Sequence, residues 1–199
     1  MKTLTVIDDF YFAPKALLRA AQGLDYSTKE YEGYPYHGVS VDFEPENIAG
    51  LISLSMDKPV KVGINCFRLG ITTESCTTHI HSDNAIDPFA AVLYLNDAPE
   101  GVRAGTAFWR HKEHGIDAMP TLEWIAANTT LSVEEFIKKL NEDGADESKW
   151  DMVSLVGQKA NRFVTYPSHL FHSRYPQAAW GSSPKDGRLI WTGFYHYIG

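Results

Sequence analysis

Cysteine is scarce. The chain has two, Cys66 and Cys76, among 199 residues. Two thiols build no disulfide framework and their spacing makes no CxxC metal knuckle, so both are expected to be free thiols of a cytoplasmic protein. No apolar run is long enough to span a bilayer. The opening MKTLTVIDDFYF lacks the uninterrupted apolar stretch and small-residue cleavage site of a signal peptide. Positive charge is also in deficit, with 18 Lys and Arg against 25 Asp and Glu, a formal net charge of −7. That balance disfavours affinity built on phosphate contacts, so no nucleic-acid partner is expected. Neither a phosphate-cradling GxxxxGK loop nor a Ser-His-Asp signature occurs. What remains is an ordinary globular composition, 44% hydrophobic and 22% charged, enough for one domain over 1–199 with a substantial core.

The pattern along the chain predicts a mainly β fold with helices (α+β). TLTVI (3–7) predicts a strand. A helix is expected from Pro14, a favoured first helical residue, through Leu17, Leu18 and Ala21 to a stop at Gly23. The tyrosine-rich segment 26–38 is expected to be irregular surface. VGINCFRLG (62–70), CTTHIHSD (76–83), FAAVLYLN (89–96) and GTAFWRH (105–111) are short strands separated by turn residues, the rhythm of a sandwich or barrel. Residues 120–150 differ. Ser132-Val133-Glu134-Glu135 is a capping box leading into Phe136, Ile137 and Leu140 on one helical face. This reads as a helical insertion packed on the sheet, too short to bury a core of its own and without a chemical role. Strands resume at RFVTYPS (162–168) and GRLIWTGFYHY (187–197).

Eight histidines are present, and two of them crowd into THIHSDN (78–84) beside an aspartate. On a strand, positions two apart share a face, so His79, His81 and Asp83 would project together. Two imidazoles and one carboxylate on one face of a divalent ion leave three positions open, the arrangement of non-haem Fe(II) oxygenases. A short HxD supplies two ligands and the third must come from elsewhere. YPSHLFHSRYP (166–176) offers His169 and His172.

Taken in order, these elements resemble the Fe(II)/2-oxoglutarate-dependent oxygenases, particularly the prolyl-4-hydroxylase-like branch. His81-Ser82-Asp83 is followed by Tyr94-Leu95-Asn96 closing an apolar strand. Next come Ala104-Gly105-Thr106-Ala107-Phe108, the late His172 and Arg188-Leu189-Ile190-Trp191-Thr192 on the last strand. The opening VIDDFYFAP also looks like the start of such domains. The resemblance implies a double-stranded β-helix, or jelly roll, flanked by an N-terminal helix and the insertion. It implies Fe(II) on His81, Asp83 and His172, with 2-oxoglutarate and O2 as cosubstrates. The far carboxylate of 2-oxoglutarate would sit on Arg188, aided by hydroxyls of Tyr94 and Thr192. A planar guanidinium suits that carboxylate, which it can meet with two parallel charge-assisted bonds.

Two features depart from the family pattern. His172 and Arg188 are 16 positions apart, a longer gap than usual that the turn-rich AWGSSPKDG (179–187) accounts for. The usual glycine pair of the central turn is Ala104-Gly105. Arg174 is the fallback clamp, though two residues after the ligand it would crowd the iron. His79 and His169 are the alternative ligands, Asp186 is a rival partner for Arg188, and Tyr94 could be an ordinary core tyrosine. Trp109, Arg110, His111 and His114 read as ordinary surface, or as a substrate mouth. Tyr34, Tyr36 and His37 are lid candidates, and Asn84 and Asn96 read as turn residues.

The function implied is hydroxylation of a C–H bond in a peptide, amino-acid side chain or small metabolite, with 2-oxoglutarate decarboxylated to succinate. A cupin-like metal enzyme without 2-oxoglutarate and a non-catalytic jelly-roll binding module are the alternatives. No membrane partner is expected.

Overall fold

The computed structural model describes residues 4–31, 34–40, 45–73, 79–83 and 87–199, without the side chains of 28–31 and 34–37. In chain order the elements are β1 (Thr5–Ile7), α1 (Pro14–Gln22), β2 (Ser27–Tyr31), β3 (Tyr34–Ser40), α2 (Ile48–Met56), β4 (Val60–Gly70), β5 (Phe89–Tyr94), β6 (Gly105–His111), α3 (Leu122–Asn128), α4 (Val133–Asp143), a 3-10 turn (Glu147–Lys149), β7 (Trp150–Gly157), β8 (Phe163–Pro167), β9 (His172–Tyr175) and β10 (Arg188–Tyr197).

Two antiparallel sheets result, one of seven strands in the order β1-β8-β5-β10-β4-β3-β2 and one of three in the order β7-β6-β9. They stack as a jelly roll, and strand alternation sorts residues between layers. Along β5, Ala90, Val92 and Tyr94 face the interior between the sheets, where Ile190, Phe108, Val156 and Val164 meet them. Ala91 and Leu93 face the other way and pack with Trp191, Phe67 and the buried faces of α1 and α2. Behind the small sheet, Ile125 of α3 and Phe136 and Leu140 of α4 cover Ala107, Trp109 and Trp150.

Local chemistry accounts for most boundaries. Pro14 opens α1 and the Gly23 N–H closes it on the Ala20 carbonyl. Ser132 and Glu135 form the reciprocal capping box that starts α4. Three elements depart from the sequence pattern. Within residues 26–38, expected to be irregular, β2 and the start of β3 pair with each other, because tyrosine-rich segments fit an extended edge and β3 finds partners in Arg68 and Phe67 of β4. Helix α2 (IAGLISLSM) carries apolar residues on every face and so shows no helical period. Strand β7 was masked by exposed residues on both faces. The described part of CTTHIHSD, residues 79–83, touches a sheet only through one isolated bridge, His81 to His172; residues 76–78 lie outside the described set. Among the described residues, no helix is long and apolar enough to cross a membrane.

Candidate metal centre

His172 opens β9 and lies opposite Phe108 of β6, so its ring enters the interior. The His81 segment docks on the free edge of β9. The His81 N–H donates to the His172 carbonyl (3.0 Å) and the His172 N–H donates back to His81 (2.8 Å). Residues paired in this way project their side chains to one side of a ladder. The two imidazoles therefore meet, with ring centroids 4.5 Å apart. The Asp83 N–H donates to the Ser168 carbonyl at 2.9 Å, which returns its carboxylate toward both rings.

His81 Nε2 lies 3.5 Å from Asp83 Oδ1 and His172 Nε2 lies 3.4 Å from Asp83 Oδ2. One ligand atom from each residue falls within 4.8 Å of the others. Their outer nitrogens decide the tautomers. His81 Nδ1 sits 2.8 Å from the His79 carbonyl and His172 Nδ1 sits 2.9 Å from that of Leu170. A carbonyl only accepts, so each Nδ1 carries a proton, and Nε2 is the atom that each ring turns toward the carboxylate and offers to a metal. Three electron-rich atoms facing one another fit a cation between them. Donors about 2.1 Å from a shared ion stand roughly 3 Å apart, and the two imidazole–carboxylate separations lie near that spacing. The donor set fits a divalent metal.

The protonation preferences of Asp83 and His172 agree, and Asp83 itself is the partner that draws a proton onto His81. Burial works against Asp83 ionising, but the His172 and His81 imidazoles outweigh it and hold the carboxyl below its ordinary range. Burial holds His172 below the ordinary histidine value. His81, the more exposed ring, is pushed down by burial but carried upward overall by Asp83.

Across the interior, β10 presents Arg188 with Ile190 and Thr192 on the same face. Arg188 is buried, its Nε donates to Gln158 Oε1 at 3.2 Å, and its guanidinium lies 5.6 Å from the Tyr94 ring centre. Burial, reinforced by the like charges of Arg174 and Arg68, lowers its pKa to about 10 despite support from Tyr94. No described carboxylate bonds to Arg188. Its sequence rival, Asp186, spends its oxygens on Ser182 and Ser183. The Tyr94 hydroxyl is buried and shares a 2.6 Å hydrogen bond with Thr106 Oγ1, with Arg188 close enough to temper the upward pull of burial on its pKa. Asn96 fixes the start of β10, donating to the Gly187 carbonyl and accepting from the Leu189 N–H.

The structure thus brings His81, Asp83 and His172 together and sets Arg188 and Tyr94 in the same interior. Thr192 shares that face, but its hydroxyl donates to the Ala91 carbonyl at 3.0 Å. His79 and His169 are exposed and outside the three-residue cluster. Trp109 and His111 are core residues behind the small sheet rather than surface. Asn84 and Cys76 and the side chains of Tyr34, Tyr36 and His37 lie outside the described residues, and Cys66 is a free thiol. Arg174 faces the interior opposite Thr106, inside the site that sequence reasoning judged too crowded for it. Arg68 was missed. It lies opposite Ile190 on β4 and acts electrostatically on His81, Asp83 and Arg188. Its signal was a charged residue between the buried Phe67 and Leu69. Tyr166, whose ring centre is 4.8 Å from that of His172, gave no signal beyond an apolar strand.

Residues 71–195 match the model of a family of unknown function, DUF6445. No curated protein matches the chain. Among solved structures, AviO1 from Streptomyces viridochromogenes Tue57 is 19% identical over 98% of this chain and 90% of its own, with a TM-score of 0.55. HygX from Streptomyces hygroscopicus, solved with nickel, 2-oxoglutarate and hygromycin B, is 13% identical over 99% and 84%, with a TM-score of 0.58. SnoN, the non-heme alpha ketoglutarate dependent epimerase from nogalamycin biosynthesis, is 13% identical over 98% and 77%, with a TM-score of 0.56. At these identities the likeness speaks to the jelly-roll fold, while the extent of the family match makes the chain a member of the DUF6445 family.

Proposed function

We propose that the chain is an Fe(II)- and 2-oxoglutarate-dependent oxygenase that oxidises a C–H bond of a small molecule or peptide. One observation carries the reading: two imidazoles, each with Nδ1 on a backbone carbonyl, turn Nε2 toward one carboxylate, and a buried guanidinium without a described counter-anion faces the same interior. His81, Asp83 and His172 would hold the iron. Bound iron supplies O2 activation at the expense of 2-oxoglutarate, which leaves as succinate and CO2.

The chain's own residues supply geometry and surroundings. The His79 and Leu170 carbonyls lock both rings against rotation, as second-sphere partners of metal-bound histidines do. Arg188 would grip the far carboxylate of 2-oxoglutarate, and of the mutually bonded Tyr94 and Thr106 hydroxyls the one that accepts from the other would have its own proton free to donate. Phe108, Tyr166 and Ile190 keep water from the space between. The ordered motifs resemble the prolyl-4-hydroxylase-like branch and favour hydroxylation as the outcome. The likeness to SnoN, an epimerase, and to HygX, solved with hygromycin B, supports a second outcome. In it a C–H bond of a sugar-like small molecule is broken and re-formed with inverted configuration, and the oxidation state of that carbon is unchanged.

Anaerobic addition of Fe(II) and 2-oxoglutarate should give the weak visible charge-transfer band of the chelate, and His81→Ala and Asp83→Ala should abolish it. An unchanged band in either variant ends the ligand assignment. Full activity of Arg188→Ala would favour a metal enzyme that does not use 2-oxoglutarate. Anaerobically purified protein that retains no iron would favour a binding module.

A further inference from the structure

The helical insertion ends where the metal segment begins. The last turn of α4 runs into Gly144, and the Gly144 carbonyl accepts the Ile80 N–H at 3.0 Å, one residue before His81. The approach is closer than any side chain allows. A Cβ built on Gly144 would lie 2.2 Å from the Ile80 carbonyl oxygen and 3.3 Å from the Asn141 carbonyl oxygen, both backbone atoms that cannot swing aside. Gly144 has ordinary right-handed helical geometry, with φ of −59°, so contact rather than conformation demands glycine here.

The corner is fixed on three further sides. The Asp143 carboxylate, almost fully buried, receives Lys149 Nζ at 2.5 Å, His111 Nε2 at 3.2 Å and Lys139 Nζ at 3.5 Å. The Asp143 carbonyl accepts the Trp150 indole N–H at 2.9 Å, tying the corner to the first residue of β7. The Ile80 side chain is buried with Phe136, Leu140 and Phe171.

From these contacts we infer that Gly144 is a positioning residue for the metal centre. The Asp143–Gly144 corner sets the register of Ile80, and through it the height at which the His81 ring meets His172. The inference rests on the metal-site reading above and assigns the insertion a task beyond covering the sheet. His81 gains from it, because residues 79–83 have no strand of their own, and the other backbone bonds described for the segment are the bridge to His172 and the Asp83 N–H to the Ser168 carbonyl. Without the corner, the first ligand would sample positions off the ion while the other two stayed.

The test is a Co(II) titration of the full chain, read by visible absorption, with the Ile80 amide followed by hydrogen exchange. Gly144→Ala should weaken cobalt binding at least tenfold, alter the absorption envelope and speed exchange at Ile80, with the far-ultraviolet dichroism kept. Lys149→Met loosens the same corner from its exposed side and should weaken binding severalfold; it decides the matter if Gly144→Ala does not fold. Ser132→Ala removes the α4 cap without touching Ile80 and should lower thermal stability while leaving the cobalt spectrum and affinity unchanged. A folded Gly144→Ala chain with wild-type affinity overturns the inference. So does a wild-type affinity in Lys149→Met, or a Ser132→Ala chain weakened as much as the corner variants. Wild-type protein that binds no cobalt overturns the metal reading itself, an outcome distinct from the others.

Discussion

Replacing Arg188 with methionine should have effects of opposite sign on the free and the loaded protein. Burial holds the Arg188 pKa at about 10 against an ordinary 12.5. At roughly 1.4 kcal/mol per unit, that charge costs the folded state about 3 kcal/mol. Methionine removes the cost and keeps the aliphatic stem. One loss offsets the gain, since the support from Tyr94 is already counted in that shift. Gln158 Oε1 gives up its donor, about 1 kcal/mol. The balance favours the variant, which should melt above wild type.

The liganded protein should behave in reverse. Losing a charge-assisted clamp of about 1.5–3 kcal/mol should weaken 2-oxoglutarate roughly 10- to 150-fold. With Ni(II) present and 2-oxoglutarate at a hundred times the wild-type Kd, the wild type gains about 2.7 kcal/mol from the cosubstrate. The variant should keep only a fraction of that. Thermal melts of both proteins, with metal alone and with metal plus 2-oxoglutarate, read all four states. An Arg188→Met chain that melts below wild type without ligand, yet gains as much from 2-oxoglutarate, refutes both the uncompensated charge and its proposed use.

Three further outcomes follow from other parts of the molecule. Burial depresses His111, so the unfolded chain binds its proton more readily; the stability this neutral ring contributes is complete above about pH 6.5 and is lost as pH falls below it. Denaturant midpoints between pH 7.5 and 5 should therefore drop, and a His111→Gln variant should show a flatter profile; an equally steep one would place the acid sensitivity elsewhere. Phe136→Ala empties a fully buried position between α4 and the small sheet and should cost about 3–5 kcal/mol, seen as a Tm lower by roughly 6–20 °C; a loss under 1 kcal/mol would contradict the packing. Gly105→Ala would set a Cβ 1.9 Å from the Val156 carbonyl, so β6 and β7 should separate locally, with faster amide exchange along both strands; unchanged exchange would mean the approach is looser.

The clustering of His81, Asp83 and His172 was legible because the proposed chemistry demands residue types that the sequence uses sparingly. Histidine beside aspartate at period two has few structural uses, and a late histidine after an apolar strand supplied the missing ligand. The face they share was legible only in part. Strand alternation placed His79 with His81, yet His79 is exposed, because the segment makes a single bridge and its alternation stops there. The arginines divide the same way. Arg188 stood out at the head of a regular apolar strand. Arg68 and Arg174 needed the register of β4 and β9, which no single strand carries in its own sequence.

The insertion shows why packing alone does not reveal a role. Its capping box and amphipathic face were legible and accounted for α4 as a helix on a sheet. What they could not carry is the 3.0 Å contact between Gly144 and Ile80, two residues 64 positions apart. A glycine after a helix ordinarily marks a turn, where left-handed backbone is needed. Gly144 is right-handed, so that explanation fails, and the reason for glycine lies in the neighbour it touches. The molecule thus assigns its parts in a consistent way. The large sheet carries the buried guanidinium, and the small sheet carries one imidazole of the proposed metal centre. The other two proposed ligands sit on a short segment outside any strand, which the end of α4 meets from outside the sandwich.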